Sequence, residues 1–186
     1  MSYKLSDMLS TIFKKKLTNN QLANIFVNGV LTSVEQGFEE LKLLIQEDPA
    51  FVSPPAVESM KDGHFTMIVI VANISNLIHH FESEEVVDLE ELILDKFASS
   101  FGMEREEFEK YYKDYKAFIC RVNHPSKNML YGMSKALFFK YKLNDYQDEY
   151  FKNLVTPNPL FLKRMDEVML QFIWDWDAFQ RKFKLA

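Results

Sequence analysis

The stretch from Thr18 to Glu47 constrains the fold more than any other part of the sequence, because it is long, lacks proline and repeats with helical spacing. Apolar residues recur every three to four positions, at Phe26, Val30, Val34, Phe38, Leu41 and Ile45. This spacing places them on one face of an α-helix. Thr18 and Gln21 also have the spacing of an N-terminal capping box. The stretch predicts one long amphipathic helix whose apolar face requires partners.

The same spacing predicts further helices along the chain. A first helix is expected from Leu5, Met8, Leu9, Ile12 and Phe13. Later helices are expected at about 62–81, 88–101, 104–124, 126–141 and 145–154, and a last one from Asn158 and Pro159 with a stripe that continues to Phe183. We therefore expect an all-α fold, a single-domain bundle of about seven or eight helices over residues 1–186.

Two segments organise this expected bundle. The helix at about 62–81 is apolar nearly all round in its first half, which predicts a buried central helix. Pro49, Pro54 and Pro55 interrupt the helical pattern and predict an irregular internal link over residues 48–56.

The helix at 104–124 has the clearest stripe, with its apolar face expected at Phe108, Tyr111, Tyr112, Tyr115, Phe118, Ile119 and Val122.

Composition narrows the setting in which the chain acts. Its single cysteine, Cys120, excludes an internal disulfide and is typical of a reducing compartment, so we expect a cytoplasmic location. No secretory signal is expected at the N-terminus. The longest apolar stretch, residues 65–78, contains Asn73, Ser75 and Asn76 and is shorter than the roughly 20 residues that span a bilayer, so we expect no transmembrane segment.

Charge is distributed unevenly along the chain. Residues 82–110 contain eleven acids and three bases, whereas residues 111–142 contain seven bases and one acid. Such neighbouring segments either complement each other, face water, or steer a charged partner. For the last case the candidate partner surface is Glu84, Glu85, Glu90, Glu91, Lys113 and Lys116.

Two groups of residues indicate a possible ligand pocket. Gly29, Ser33 and Gly37 form a smooth strip on the long helix, suited to close helix packing or to a groove for an apolar ligand. Thr66, Asn73, Asn76 and His80 form a polar flank on the predicted central helix. Buried polar groups require hydrogen-bond partners, either from neighbouring helices or from a ligand.

His79 and His80, followed by Glu84, have some character of a metal site, and a site shared between helices would combine His80 and Glu84 with His64 or His124. Neighbouring positions on a helix diverge by about 100°, so the two rings cannot easily bind one ion. Neither histidine completes a Glu-x-x-His pair. We therefore predict neither a metal nor another cofactor, with His79, His80 and Glu84 as weak metal candidates.

Other chemistry lacks a pattern in this sequence. Cys120 and His124 have no orienting acid, and the segment that resembles half of a helix-turn-helix is followed by acids where DNA binding requires bases, so no nucleic-acid partner is expected. Phosphate-binding glycine loops and nucleophile motifs are absent. We expect a non-enzymatic interaction or regulatory module that binds a protein partner or a second copy of itself; a binder of small apolar or amphipathic ligands and a metal-binding protein are the alternatives.

Overall fold

Thr18 begins the longest helix as predicted. Its side-chain oxygen accepts a hydrogen bond from the backbone nitrogen of Gln21 at 3.3 Å, and the backbone nitrogen of Thr18 donates to the Gln21 side chain at 3.1 Å. This reciprocal cap satisfies two helix-terminal donors. All six predicted stripe residues of the helix are buried.

The computed structural model describes residues 15–185. Within them lie eight α-helices, which we number α1 (Asn19–Gln46), α2 (Asp62–Ser75), α3 (Ser83–Ser100), α4 (Arg105–Asn123), α5 (Met129–Lys140), α6 (Glu149–Leu154), α7 (Pro159–Met169) and α8 (Trp176–Lys182). Two short strands, β1 (Lys15–Leu17) and β2 (Phe183–Leu185), pair in parallel. The all-α bundle is confirmed. The helix predicted from Leu5 to Phe13 lies outside the described residues.

Helix α2 is the centre of the bundle, as its apolar sequence predicts. All its residues from Phe65 to Ile74 are buried except Met67, and it packs against α1, α4 and α5. The α-helix is shorter than predicted, because a 3-10 turn over Asn76–His79 replaces its last turn.

Other helix boundaries also differ from the prediction: α5 begins at Met129 instead of 126, and α6 begins at Glu149 instead of 145. Helix α3 begins at Ser83 instead of Asp88, and the backbone nitrogen of Glu82 donates to the Glu85 carboxylate at 3.1 Å. The predicted continuous last helix is wrong: α7 ends at Met169, a 3-10 turn covers Leu170–Phe172, and Asp175 starts α8 by accepting from the backbone nitrogen of Ala178 at 2.7 Å.

The proline-containing segment between α1 and α2 packs against the other end of the chain. Asp48 is buried and accepts from the Arg164 guanidinium of α7, with 2.8 Å between Nε and Oδ2. The backbone nitrogen of Val52 donates to the carbonyl of Tyr146 at 2.9 Å. Residues 15–185 contain no helix long and apolar enough to cross a membrane.

Candidate functional site

An open groove lies where α2 begins, α3 ends and α4 passes alongside. Its volume is about 590 Å³, and its apolar walls are formed by Met67, Phe101, Met103, Phe108, Tyr111 and Tyr115. We call it the apolar groove. Small-molecule sites are concave, predominantly apolar and of roughly 300–1,000 Å³. In size and lining the groove resembles such sites.

Two aromatic side chains are exposed at this groove, one in the turn between α3 and α4 and one on α4. Gly102 ends α3 with a φ of 63°, a left-handed conformation that glycine adopts without steric cost. Before it Phe101 is 42% exposed, although its ring stacks on Phe108 with centroids 5.7 Å apart. On α4, Tyr111 is 49% exposed. The two side chains leave apolar surface open to solvent beside the groove.

The polar side of the groove leads to His64. Asp62 and Thr66 line the groove, and the Thr66 hydroxyl donates to the Asp62 carbonyl at 3.0 Å. The Tyr115 hydroxyl lies 2.5 Å from Nδ1 of His64. Because Tyr115 is itself a groove wall, this bond couples the groove to the beginning of α2.

His64 also lines a second cavity of about 390 Å³, which we call the basic cavity. Lys61, Lys140 and Lys142 line it with His64, and Asp145 is the one acid among its described lining residues. Tyr141 fixes its position: the Tyr141 hydroxyl donates to the Lys61 carbonyl at 2.7 Å and accepts from the backbone nitrogen of Phe65 at 3.1 Å. These bonds join the end of α5 to the start of α2.

Lys140 stands over two aromatic rings at the boundary between these features. Its Nζ lies 4.3 Å from the ring centre of Tyr115 and 4.7 Å from that of Phe118. Both distances are within the range of cation–π attraction. The Lys140 ammonium therefore lies against the ring of Tyr115, whose hydroxyl bonds His64.

Four neighbouring side chains at the two cavities have shifted pKa values, and we call them the titratable cluster: His64, Tyr115, Lys140 and Tyr141. Partial burial, followed by the positive charge of Lys140, lowers the pKa of His64. Burial and then the charge of Arg121 lower the pKa of Lys140. Burial raises the pKa of both Tyr115 and Tyr141. Perturbed pKa values are common at functional sites, and these four residues line the two cavities.

At neutral pH the cluster presents hydrogen-bonding groups beside one cation. His64 is neutral and both tyrosines are protonated, because their pKa values move away from neutrality. Such groups orient a ligand by hydrogen bonds and weak electrostatics, while the groove supplies apolar contact area. The arrangement suits reversible binding.

The structure places the predicted smooth strip under aromatic rings of the same chain. A Cβ at Gly29 would collide with the Trp174 ring, and one at Gly37 would lie 2.6 Å from the Phe172 ring. The Ser33 hydroxyl donates to the Val30 carbonyl at 2.8 Å. The strip therefore holds the 172–174 segment, and close packing accounts for its small residues.

The polar flank is divided between several locations. The buried Asn73 amide donates to the carbonyls of Val69 at 2.9 Å and Phe172 at 2.8 Å, and its oxygen accepts from the backbone nitrogen of Trp174 at 2.7 Å. Nδ2 of Asn76 lies 3.4 Å from Nε2 of His80. Of the four residues of the polar flank, only Thr66 lines the apolar groove.

The weak metal candidates do not converge on an ion site. Nδ1 of His80 lies 3.7 Å from the Asp177 carboxylate, whereas His79 and Glu84 are exposed. In the part of the chain that the structure describes, no group of three or more histidine, cysteine and acidic side chains is arranged to hold a metal.

The predicted partner surface makes contacts within the molecule. Glu90 accepts from the Tyr112 hydroxyl at 2.9 Å and lies 4.0 Å from Lys116. Arg105 pairs with Glu91 at 3.0 Å, and Lys113 pairs with Glu109 at 2.5 Å. Of the others, Glu85 contributes to the start of α3 and Glu84 is exposed. Of these contacts, those of Glu90 with Tyr112 and Lys116 join the acidic segment on α3 to the basic segment on α4.

The residues of the groove give little signal in the sequence. The helical stripe predicts that Tyr111 faces inward, but this side chain lies half exposed at the groove. His64 stands at the start of a helix without a motif around it. Phe101, directly before the turn-forming Gly102, is a local clue to an open apolar surface.

Comparison of the chain with protein-family models, with curated proteins and with solved structures finds no match. We therefore base the proposed function on the geometry of the two cavities.

Proposed function

We propose that the protein reversibly binds a small apolar or amphipathic molecule in the apolar groove. The observation that carries this proposal is the groove itself, about 590 Å³ between α2, α3 and α4 with predominantly aromatic and methionine walls. A ligand bound there removes apolar surface from water, and this burial contributes roughly 25 cal/mol of favourable free energy per Å².

The wall composition favours an adaptable site. Methionine side chains are unbranched and polarisable, so Met67 and Met103 can fit ligands of different shapes. Asp62 and Thr66 are the polar residues among the described lining of the groove, together with the tyrosines Tyr111 and Tyr115. A ligand with an apolar body and a hydrogen-bonding end satisfies both features.

A charged protein partner has weaker support. Glu90, Glu91, Lys113 and Lys116 all contact oppositely charged or polar side chains of the same molecule. Surface ion pairs of this kind contribute little energy, but they reduce the charge offered to a partner. We accordingly place protein interaction second to ligand binding, and retain the cytoplasm as the proposed location because the single cysteine favours a reducing compartment.

Gly63 offers a way to fill the groove without disturbing the core. It lines the groove, and a Cβ added there meets no described atom within 4 Å. Gly63→Leu should fold normally, because leucine favours helix more than glycine does. Its side chain should occupy the groove.

The experiment titrates the wild type, Gly63→Leu and Asn24→Leu with the uncharged fluorescent probe N-phenyl-1-naphthylamine. Asn24 is exposed on α1 and does not line the groove, so Asn24→Leu adds a surface leucine elsewhere on a helix. We expect saturable binding to the wild type and to Asn24→Leu, and binding about tenfold weaker or more in Gly63→Leu. Equal binding by all three proteins would place the probe elsewhere and contradict the proposal.

A further inference from the structure

The basic cavity is a separate feature from the apolar groove, and it has its own chemistry. Lys61 precedes α2, Lys140 ends α5 and Lys142 follows it, so two segments bring three lysines to the lining of one cavity of about 390 Å³. This concentration of positive charge lies in a chain with a formal net charge of −5.

Among the described residues, the three lysines form no ion pair within 4.0 Å, although the charge of Asp114 acts on Lys140. Arg105, Lys113, Lys116 and Arg164 each have a carboxylate oxygen within 4.0 Å. Within residues 15–185, the structure gives no such ion pair to Lys61, Lys140 or Lys142. Their charges are therefore available to a bound anion.

We propose that the basic cavity binds a phosphate group, either free or carried by a small molecule. The described lining residues carry three lysines against one acid, Asp145, a formal charge of +2 with His64 neutral, and Asp114 reduces this excess through its action on Lys140. A phosphate monoester carries about −1.5 to −2 near pH 7. The charges are complementary in size, whereas a single carboxylate would neutralise only half of the formal excess.

Lys142 has a backbone conformation that its residue type disfavours. Its φ and ψ of 55° and 37° lie in the left-handed region, where glycine and asparagine are more easily accommodated than lysine. Lys142 lines the cavity from this disfavoured backbone position, which is consistent with a role for its charge.

Lys140 is held in place before any anion arrives. The rings of Tyr115 and Phe118 lie 4.3 and 4.7 Å from its Nζ. Because a fixed side chain loses less entropy on binding, this aromatic support favours affinity. The site combines one ordered lysine with two exposed ones, Lys61 and Lys142.

The test titrates the full chain with inorganic phosphate by isothermal calorimetry, with ionic strength held constant by sodium chloride. Parallel titrations use phenyl phosphate, a monoester, and acetate, a carboxylate. We expect saturable phosphate binding and acetate binding about tenfold weaker or more. Tighter binding of phenyl phosphate would identify an esterified phosphate as the preferred form, and tighter binding of inorganic phosphate would identify the free ion. Absent phosphate binding, or acetate binding as tight as phosphate, would overturn the proposal.

Variants locate the binding. Lys140→Met keeps an unbranched side chain on the rings, and Lys142→Asn suits the left-handed backbone, so both should fold. Each should weaken phosphate binding by about tenfold or more. Lys135→Met is the matched control, because Lys135 lies on the same helix over another ring, 5.0 Å from the centre of Tyr131. Equal affinities in Lys140→Met and Lys135→Met would overturn the proposal. Inorganic phosphate has no apolar part, so these results do not depend on the groove.

Discussion

At the scale of single residues, His64 connects the two cavities. Its Nδ1 bonds the Tyr115 hydroxyl of the groove, and its pKa responds to Lys140 of the basic cavity. The free energy of unfolding is therefore coupled to its protonation. Between the lowered folded pKa and the ordinary value of 6.5, the unfolded chain binds more protons than the folded one. The contribution of His64 to stability is thus present above 6.5 and is lost as the pH falls through the folded pKa.

Nuclear magnetic resonance of the histidine ring tests this coupling. We expect the pKa of His64 to lie below 6.5. In Lys140→Met its pKa should rise but stay below the ordinary value, because partial burial is the larger cause and remains. Lys135→Met should leave it unchanged. A His64 pKa at or above 6.5, or one unaffected by Lys140→Met, would show that the ring is not held as described.

At the scale of elements, local patterns predict most helices but not their interruptions. The stripe of α1 and its Thr18 cap depend on residues three or four apart, so the sequence contains them directly. The stripe ending in Phe179 and Phe183 also looks continuous, yet the chain leaves the helix at 170–175. The reason is distant in sequence: the Asn73 amide binds the backbone of Phe172 and Trp174. Periodicity cannot reveal such a contact.

The smooth strip of α1 gives a test at this scale. Gly29→Ala should displace the Trp174 ring, because the added Cβ collides with it. Overpacking of this kind costs about 1–3 kcal/mol. Urea unfolding should show the loss, together with a changed tryptophan emission spectrum.

Gly63→Ala provides the control for that substitution. Its added Cβ meets no described atom within 4 Å, so it should stabilise the helix by up to about 1 kcal/mol. If Gly29→Ala were as stable as Gly63→Ala, the 172–174 segment would not pack closely on α1.

At the scale of the whole molecule, both cavities arise from helices that meet at the start of α2. The ends of α3 and α5 and the middle of α4 supply their walls. In the sequence, each residue that lines these cavities has the pattern of an ordinary helix-stripe, turn or surface position. Of the predicted ligand residues, Gly29, Gly37 and Asn73 contact the 172–174 segment, whereas the Ser33 hydroxyl bonds within its own helix. Fold class followed from periodicity, while the candidate site required the tertiary arrangement.

The most direct test of ligand binding is native mass spectrometry of the wild type and Gly63→Leu, each purified from the protein's own host. We expect a stoichiometric added mass on the wild type that denaturation removes and that Gly63→Leu lacks. A bare chain in both cases, or the same added mass in both, would contradict a ligand in the apolar groove.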